Sequence, residues 1–308
     1  MGFQLKVGIV GLPNSGKSTL FNALLKGQIA RVGEYPYTTI EPNVGVVEVP
    51  DERLREISKA VNIPRKVPAA IEFIDIAGLI RGAHKGEGLG NQFLAKIREV
   101  DVIVHVVRAF ENPNVEHVGG KIDPEADIKS VNEELKLGGI QKPAIFVINA
   151  GEQNLATSLY YYNEVIDFVE KKYDLRPIII SAKLEAELSE LSKEDQRVYL
   201  KELGIERSAI DQVIQESYQL LNLITFFTVA KGKQVQAWPI KKGKLAIEAA
   251  EIVHSDFAKG FIVAEIVDFK KIVDCTSWHA AKEKGLVKTV GKGEKIEDGQ
   301  VVEFKFTQ

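Results

Sequence analysis

A run of small, polar and glycine residues near the start of the chain has the spacing of a phosphate-binding loop. Residues 11–18 read Gly-Leu-Pro-Asn-Ser-Gly-Lys-Ser and fit the pattern G-x-x-x-x-G-K-[ST]. A strand pattern at 5–10 precedes the run and a helical pattern at 18–25 follows it, so backbone N–H groups and a helix N-terminus would point at a phosphate. Lys17 would then reach the β- and γ-phosphates of a nucleoside triphosphate, and the Ser18 hydroxyl would bind Mg²⁺. We predict that the following residues bind the nucleotide here: Asn14, Ser15, Gly16, Lys17, Ser18 and Thr19.

Two further segments carry groups that a nucleotide-dependent switch requires. Residues 75–78 read Asp-Ile-Ala-Gly and follow the strand pattern at 70–74. Asp75 can hold Mg²⁺ through a water, and the Gly78 N–H can contact the γ-phosphate. Thr39 lies on the preceding loop, where its hydroxyl can close over Mg²⁺ in the triphosphate state and release it after hydrolysis. Taken alone, that threonine fits an ordinary polar surface loop equally well.

The segment that would read the base departs from the pattern of GTPases. A GTPase has Asn-Lys-x-Asp after the strand pattern at 144–148, and its Asp accepts hydrogen bonds from guanine N1–H and N2–H₂. Here residues 149–152 read Asn-Ala-Gly-Glu, so the acid is one methylene longer and the lysine is absent. Asn149 and Glu152 therefore predict a preference for ATP, with GTP left open as a second substrate. Ser181 and Ala182, after the strand pattern at 177–180, are predicted to complete the base pocket with a backbone N–H.

Alternating strand and helix patterns must position these segments. Strand patterns at 5–10, 70–74, 102–107, 144–148 and 177–180 alternate with helical patterns at 18–25, 90–99, 127–137 and 158–171. Such alternation predicts an α/β fold, with a mostly parallel sheet and helices on both faces. A segment at 43–49 is expected to add an antiparallel edge strand. After residue 223, short strands around one helical pattern at 246–257 predict a second, small α+β domain. We therefore predict domains at 1–223 and 224–308.

The composition is that of a globular protein without disulfides or a membrane anchor. The 308 residues are 45% hydrophobic and 27% charged, and the formal net charge is −3. One cysteine, Cys275, excludes an intramolecular disulfide, and no apolar stretch reaches membrane-spanning length. We expect a cytoplasmic protein with no membrane partner. Residues 226–308 carry 14 lysines, no arginine and 11 acidic residues, a weak indication that this part meets an anionic partner such as RNA.

Taken together, these motifs resemble the YchF subfamily of the Obg-like translation-factor NTPases. The resemblance rests on four segments of the sequence. They are the phosphate loop with Thr19 (11–19), the run Pro-Tyr-Thr-Thr-Ile-Glu-Pro-Asn (36–43), the Asp-Ile-Ala-Gly segment (75–78) continuing into Leu-Ile-Arg-Gly-Ala-His (79–84), and the base-reading segment (149–152). It implies a P-loop NTPase that prefers ATP or accepts both ATP and GTP, associated with the ribosome and with stress responses. The segment 226–306 looks like that family's TGS domain, a ubiquitin-like β-grasp module.

One element of that family is missing here. YchF-type proteins carry a long helical coiled-coil insertion in the NTPase domain, but the helical pattern ending at 137 is followed at once by Gly138 and Gly139 and then by the next strand. We predict that the insertion is shortened near 137–142. Partner contacts made by that helical arm are therefore in doubt for this chain.

The catalytic groups for hydrolysis are only partly evident. Leu79 occupies the position where related switches often carry a water-orienting glutamine, so another group must position the water. His84 is the nearby candidate; a solvent-exposed loop histidine is the equally weighted alternative. Asn14 matches the residue with which K⁺-activated relatives bind a monovalent cation beside the phosphates, so we expect K⁺ as a possible second cofactor beside Mg²⁺. Three arginines that could act as fingers are interpreted as surface charges: Arg31, Arg81 and Arg108.

Two other functions fit part of the pattern. The chain could be a ribosome- or RNA-binding module in which hydrolysis is incidental, with the C-terminal domain making the contact. A small-molecule kinase would share the phosphate loop, but the sequence has no signature of an acceptor-binding lid. His105, inside an apolar strand, is interpreted as a core residue with satisfied hydrogen bonds, and the remaining histidines show no metal-ligand spacing.

Overall fold

The computed structural model describes residues 5–28, 43–76, 89–155, 158–205, 207–230 and 233–307. The strands are β1 (Lys6–Val10), β2 (Val44–Glu48), β3 (Lys66–Val67), β4 (Ala70–Asp75), β5 (Val102–Ala109), β6 (Ala144–Ala150), β7 (Ile178–Ile180), β8 (Leu223–Ala230), β9 (Gln234–Lys241), β10 (Phe261–Asp268), β11 (Lys288–Val290) and β12 (Gln300–Phe306). The helices are α1 (Lys17–Gln28), α2 (Glu52–Ala60), α3 (Leu89–Glu99), α4 (Pro124–Leu137), α5 (Ser158–Tyr161), α6 (Asn163–Tyr173), α7 (Ala182–Leu188), α8 (Lys193–Glu202), α9 (Ala209–Leu220), α10 (Ala246–Val253), α11 (Ser255–Lys259), α12 (Phe269–Cys275) and α13 (Trp278–Glu283).

The first sheet confirms the predicted α/β arrangement. Its strand order is β2-β4-β1-β5-β6-β7, and every neighbouring pair is parallel except the antiparallel edge pair of β2 and β4. Helices cover both faces. Val7 and Ile9 of β1 pack in one cluster with Leu20 of α1, whereas Val10 lies in another with Ile97 of α3. Burial on both faces explains the nearly continuous apolar runs of these strands.

The second sheet has the strand order β11-β10-β12-β8-β9-β3. Strands β8 and β12 run parallel at its centre, while β8 and β9, β10 and β12, and β10 and β11 pair antiparallel. Helix α10 packs on this sheet through Ala246, Ala249 and Ala250, which share a core cluster with Phe226. Small side chains on that face let the helix approach the sheet closely. A mixed α+β unit therefore follows the first sheet, as the sequence indicated.

A short strand from the first part of the chain joins the second sheet. Strand β3 pairs in parallel with β9, with Lys66 opposite Val235, and the Val235 N–H donates to the Arg65 carbonyl at 3.0 Å. The predicted domain boundary after residue 223 falls at the start of β8 and remains a prediction. Among the described residues, no helix is both long enough and apolar enough to cross a membrane.

Two helices predicted as continuous are each divided in two. The pattern at 158–171 breaks at Tyr162, which is buried and whose hydroxyl donates to the Ala109 carbonyl at 3.3 Å. The pattern at 246–257 breaks at His254, whose extended backbone (φ −166°, ψ 139°) ends α10. The His254 ring then accepts a hydrogen bond from the Asp256 N–H at 3.2 Å and caps α11. A side-chain hydrogen bond to the backbone thus starts the second helix at His254, whereas Tyr162 makes no such bond to the helix that follows it.

Candidate nucleotide-binding site

The phosphate loop connects β1 to α1, and two of its glycines are required by close packing. Gly11 has φ +156°, and a Cβ there would lie 2.3 Å from the Val106 carbonyl oxygen of β5. Gly16 has φ +97°, and a Cβ there would lie 2.1 Å from Nδ2 of Asn149. Any side chain would push the loop away from the strand ends. The two fixed glycines of the motif therefore hold the loop against β5 and β6.

Lys17 begins α1 and lies almost entirely out of solvent, with 7% of its surface exposed. Its Nζ donates to the Leu12 carbonyl at 2.8 Å, so the side chain folds back over the loop. Burial lowers the pKa of Lys17 to about 8, and the nearby carboxylate of Asp75 opposes that shift. A buried ammonium that donates to a neutral carbonyl is well suited to receive the negative charge of a phosphate.

Ser18 and Asp75 meet beside this lysine, as the motif predicts. The Ser18 hydroxyl donates to Oδ2 of Asp75 at 2.7 Å, which joins the first turn of α1 to the end of β4. Oδ1 of Asp75 is buried and lacks a hydrogen-bond partner within the described part of the chain. A hydroxyl and a carboxylate with a free oxygen are hard donors of the kind Mg²⁺ takes together with substrate phosphates. These residues therefore fit Mg²⁺.

Asn149, at the end of β6, bonds to two other segments of the site. Its Nδ2 donates to the Ser15 carbonyl at 2.9 Å, and its Oδ1 accepts from the Ala182 N–H at 3.0 Å. The Ser181 hydroxyl accepts from the Leu184 N–H at 3.3 Å and caps α7. The Ala182 N–H is thus already engaged by Asn149, within the segment that was predicted to supply a backbone N–H to the base. Both residues lie at the site, and direct contacts between them and a nucleotide stay a prediction.

A pocket of about 550 Å³ extends from the phosphate loop along the ends of β6 and β7. Seven predicted nucleotide-binding residues line it: Asn14, Gly16, Thr19, Asn149, Glu152, Ser181 and Ala182. Glu152 lies at the far end in a short 3₁₀ turn (Glu152–Asn154), where its carboxylate pairs with the Lys183 ammonium at 3.2 Å. The predicted phosphate end and the predicted base end therefore belong to one continuous cavity.

The sequence interpretation missed one wall of this pocket. Residues 110–115 contribute Phe110, Glu111, Asn112 and Val115 to the lining. Arg108 holds this segment: its guanidinium donates to the carbonyls of Phe110 (3.2 Å), Val115 (2.9 Å) and Glu116 (3.2 Å). Only 2% of Arg108 is exposed, so its interpretation as a surface charge was wrong. An arginine at the end of an apolar strand, followed by the turn-forming Asn-Pro at 112–113, was the available signal.

Two other residues from the sequence interpretation have distinct surroundings. Asn14 has a left-handed backbone (φ +64°), and its Nδ2 donates to the Glu116 carbonyl at 3.1 Å, which ties the phosphate loop to the Arg108-supported wall.

His105 is 1% exposed, as expected of a core residue, but its Nδ1 has no hydrogen-bond partner among the described residues. Burial, and secondarily the charge of Lys17, lowers the pKa of His105 to about 3, so the ring is neutral.

Several predicted residues lie outside the described residues: Thr39, Gly78, His84, Arg31 and Arg81. Their predicted roles remain predictions. Among the residues that the structure does describe, no group of three or more His, Cys, Asp or Glu side chains is placed to hold a metal ion.

Comparison with known proteins identifies the family. A family model described as a 50S ribosome-binding GTPase matches residues 6–150, and a model of the C-terminal domain of YchF GTPases, described as a protein of unknown function, matches residues 223–307. The ribosome-binding ATPase YchF of Bacillus subtilis is 39% identical, covering 98% of this chain and 99% of that protein. The chain belongs to the YchF family. The YchF protein of Escherichia coli O157:H7 is 37% identical and covers 99% of both chains.

A solved structure supports the YchF fold over the whole chain. The YchF GTPase of Schizosaccharomyces pombe superposes with a TM-score of 0.85 at 29% identity, covering 99% of this chain and 98% of that one. The first sheet thus belongs to the P-loop GTPase domain of the family, and strands β8 to β12 of the second sheet belong to its C-terminal YchF domain.

The alignments with the YchF relatives are longer than this chain. They extend over 365 to 367 positions, whereas the chain has 308 residues, so several dozen positions of those relatives have no counterpart here. In the structure, α4 ends at Leu137, turns through Gly138 and Gly139 (φ +67°), and reaches β6 at Ala144. The alignment lengths are consistent with a shortened insertion, and its position near 137–142 remains a prediction.

Proposed function

We propose that this YchF-family protein hydrolyses ATP to ADP and phosphate as a nucleotide-dependent switch, and that GTP is a poorer substrate. The observation that carries the proposal is the cavity that runs from Asn14, Gly16 and Thr19 of the phosphate loop to a glutamate at the base-reading position. The buried Lys17 and Ser18, which bonds to Asp75, lie next to these loop residues in sequence. The phosphate end supplies charge neutralisation for phosphoryl transfer. Glu152 is displaced by one methylene from the carboxylate position that guanine requires, whereas adenine offers only its N6 amino group as a donor.

Mg²⁺ is the proposed cofactor. Ser18 and Asp75 would hold it, with Thr39 as the predicted third group. When bound, Mg²⁺ neutralises charge on the phosphate oxygens. Lys17 adds a positive charge of the protein's own to that of Mg²⁺. Its ammonium is already desolvated and directed at the loop. His84 is proposed to orient the attacking water, a role that the apolar Leu79 lacks the hydrogen-bonding groups to perform.

The test is phosphate release from ATP and from GTP in the presence of Mg²⁺. We expect phosphate release from both nucleotides, with a higher rate from ATP than from GTP when both are tested at the same low concentration. Lys17→Ala should abolish the activity with both. Lys26→Ala is the matched control, because Lys26 lies on the same helix with an exposed side chain paired to Glu190. Activity retained in Lys17→Ala would place the catalytic site elsewhere, and a strong preference for GTP would overturn the interpretation of Glu152.

K⁺ is proposed as a second, stimulating cation at Asn14. The Asn14 amide nitrogen is engaged by the Glu116 carbonyl, which fixes the side chain while leaving its Oδ1 as an oxygen ligand at the mouth of the phosphate loop. A monovalent cation there would add positive charge where an arginine finger acts in other switches. We expect faster hydrolysis in KCl than in NaCl at equal ionic strength; equal rates refute this part of the proposal.

We further propose that the ribosome is the partner and that the C-terminal domain, a TGS-like β-grasp module, contributes to the contact in the cytoplasm. Two relatives are named ribosome-binding ATPases, and the mixed sheet wrapped on α10 supports the β-grasp assignment. The test is co-sedimentation of the full chain with ribosomes at increasing salt, with ATP or a non-hydrolysable analogue. We expect nucleotide-dependent binding that weakens with salt, because contacts to RNA phosphates release counterions. Absence from the ribosomal pellet under every condition would reject the partner.

A further inference from the structure

The base end of the pocket contains an ion pair between two residues that are far apart in sequence. Glu152 belongs to the 3₁₀ turn after β6, and Lys183 belongs to the first turn of α7. Nζ of Lys183 lies 3.2 Å from Oε1 of Glu152 and 3.5 Å from Oε2. One ammonium therefore faces both oxygens of the carboxylate. Both residues line the nucleotide pocket.

The backbone around this pair is fixed by the same groups that build the site. Asn149 accepts from the Ala182 N–H, immediately before Lys183, and lies three residues before Glu152. The two turns are thus held side by side by a buried hydrogen bond. Lys183 has a second acidic neighbour in Glu187, 3.7 Å away on the next turn of α7. Glu152, followed by Glu187, raises the pKa of Lys183, so the ammonium stays charged at neutral pH.

This pair changes what Glu152 offers to a base. Guanine presents N1–H and N2–H₂ as adjacent donors, and a carboxylate binds them well only when both of its oxygens are available. Here each oxygen already faces the Lys183 ammonium, so a guanine must displace it or share the oxygens with it. Adenine lacks that pair of donors and gains little from a free carboxylate. The pair therefore penalises GTP more than ATP.

We propose that Lys183 is a specificity-determining residue, which lowers the affinity for GTP relative to ATP by holding Glu152 in an ion pair. The inference rests on the proposed nucleotide function and gives a role to the side chain of Lys183, which directly follows the predicted base-pocket residues Ser181 and Ala182. Since the pair is exposed, salt screens it. The discrimination between the two nucleotides should therefore weaken at high ionic strength.

The experiment measures the dissociation constants of the Mg²⁺ complexes of the β,γ-methylene analogues of ATP and GTP by calorimetry. Their ratio cancels the phosphate contribution, which both nucleotides share. In Lys183→Met we expect the ratio of the GTP-analogue to the ATP-analogue constant to fall about two- to fivefold, the range of exposed ion pairs. Lys183→Arg keeps the charge and should keep the ratio. Lys171→Met is the matched control, because Lys171 forms a comparable exposed pair with Asp167 on α6, outside the pocket lining.

A double-mutant cycle separates the pair from other effects of the lysine. In Glu152→Gln the carboxylate is gone, so adding Lys183→Met should leave the ratio unchanged. The inference is overturned if Lys183→Met leaves the ratio at the wild-type value, or lowers it equally in the Glu152→Gln background. If the wild-type chain binds neither analogue, the proposed function fails as well; if it prefers the ATP analogue and Lys183→Met has no effect, the inference alone fails.

Discussion

The side-chain amide of Asn149 donates to the Ser15 carbonyl at 2.9 Å, so the strand that carries the base-reading segment is bonded directly to the phosphate loop. The same side chain accepts from the Ala182 N–H, and Asn149 is only 4% exposed. Three loops at the carboxyl end of the sheet therefore share one buried hydrogen-bond centre. The shape of the pocket depends on this centre at both its phosphate end and its base end.

Replacing Asn149 by Ala should damage both the fold and nucleotide binding. The Ser15 carbonyl and the Ala182 N–H would lose their partner in a buried place, which costs about 1–3 kcal/mol of unfolding free energy. We expect that loss in urea unfolding, together with weaker binding of ATP and GTP by similar factors. Asn132→Ala is the control, since Asn132 also donates one internal hydrogen bond, to the Tyr173 hydroxyl at 2.8 Å, but lies outside the pocket lining. Unchanged ATP affinity in Asn149→Ala would contradict the role of this centre.

Lys17 should make stability depend on pH in the alkaline range. Its pKa is about 8 in the folded chain and about 10.5 when unfolded, so between these values the unfolded state binds more protons. Stability therefore rises with pH across that window, by at most about 3 kcal/mol, and is insensitive to this group below pH about 8. Urea unfolding between pH 7.5 and 10.5 should show this rise in wild type relative to Lys17→Met.

Lys26→Met serves as the comparison for this titration, because the Lys26 side chain is exposed. It should follow the wild-type pH profile. Nucleotide binding adds a second measurement: phosphate next to Lys17 favours its charged form, so binding at pH 9 should take up protons. Calorimetry in buffers of different ionisation enthalpy measures that uptake. Parallel pH profiles for wild type and Lys17→Met would mean that Lys17 is not desolvated.

Arg108 should be essential for the wall at residues 110–116. Three carbonyls accept from its guanidinium, and the ring of Phe110 lies 4.6 Å from its central carbon. Arg108→Lys keeps the charge but lacks the fork that reaches three carbonyls, so we expect a loss of about 2–4 kcal/mol in unfolding free energy and weaker binding of either nucleotide. Arg98→Lys removes a single exposed bond to the Gly138 carbonyl and should change neither. Wild-type affinity in Arg108→Lys would show that the wall does not contact the nucleotide.

The sequence was sufficient for the first sheet and for the phosphate end of the site. Apolar runs of strand length alternating with helical patterns predicted β1, β4, β5, β6 and β7 and their parallel arrangement, and the edge strand β2 was also predicted. The order of the strands in the sheet was not predicted. Ser18 and Asp75 were predicted to share a metal site, and the structure places their side chains in hydrogen-bond contact. These features follow from periodicity and from motifs whose groups lie at strand ends.

Other features depend on contacts between residues that are distant in sequence. The Asn-Pro turn after Arg108 signals a loop, but it does not show that carbonyls of this loop accept from the guanidinium. A buried arginine and an exposed one look alike in a sequence. The pairing of Glu152 with Lys183 depends on how β6 and β7 align. The helix α2 and the strand β3 went unnoticed, because α2 is short and highly charged and β3 has two residues that are ordered by a strand from the second sheet.

Arg53 of α2 should couple the two sheets. Its guanidinium donates to Asp298 at 2.7 Å and to Asp51 at 2.8 Å, and it lies over the ring of Phe227 at 5.4 Å. Asp298 in turn accepts from the Thr225 N–H at 2.9 Å, at the start of the second sheet. Arg53→Ala should lower the unfolding free energy by about 1–3 kcal/mol and leave β3 less firmly paired with β9.

Hydrogen exchange of the Val235 amide, which donates to Arg65 across that junction, reports the pairing directly. Arg55→Ala is the matched control, because Arg55 lies on the same helix and forms an exposed pair with Glu52 at 3.9 Å. If the Val235 amide exchanges at the same rate in both variants, β3 is held by the strand pairing itself and Arg53 does not couple the sheets.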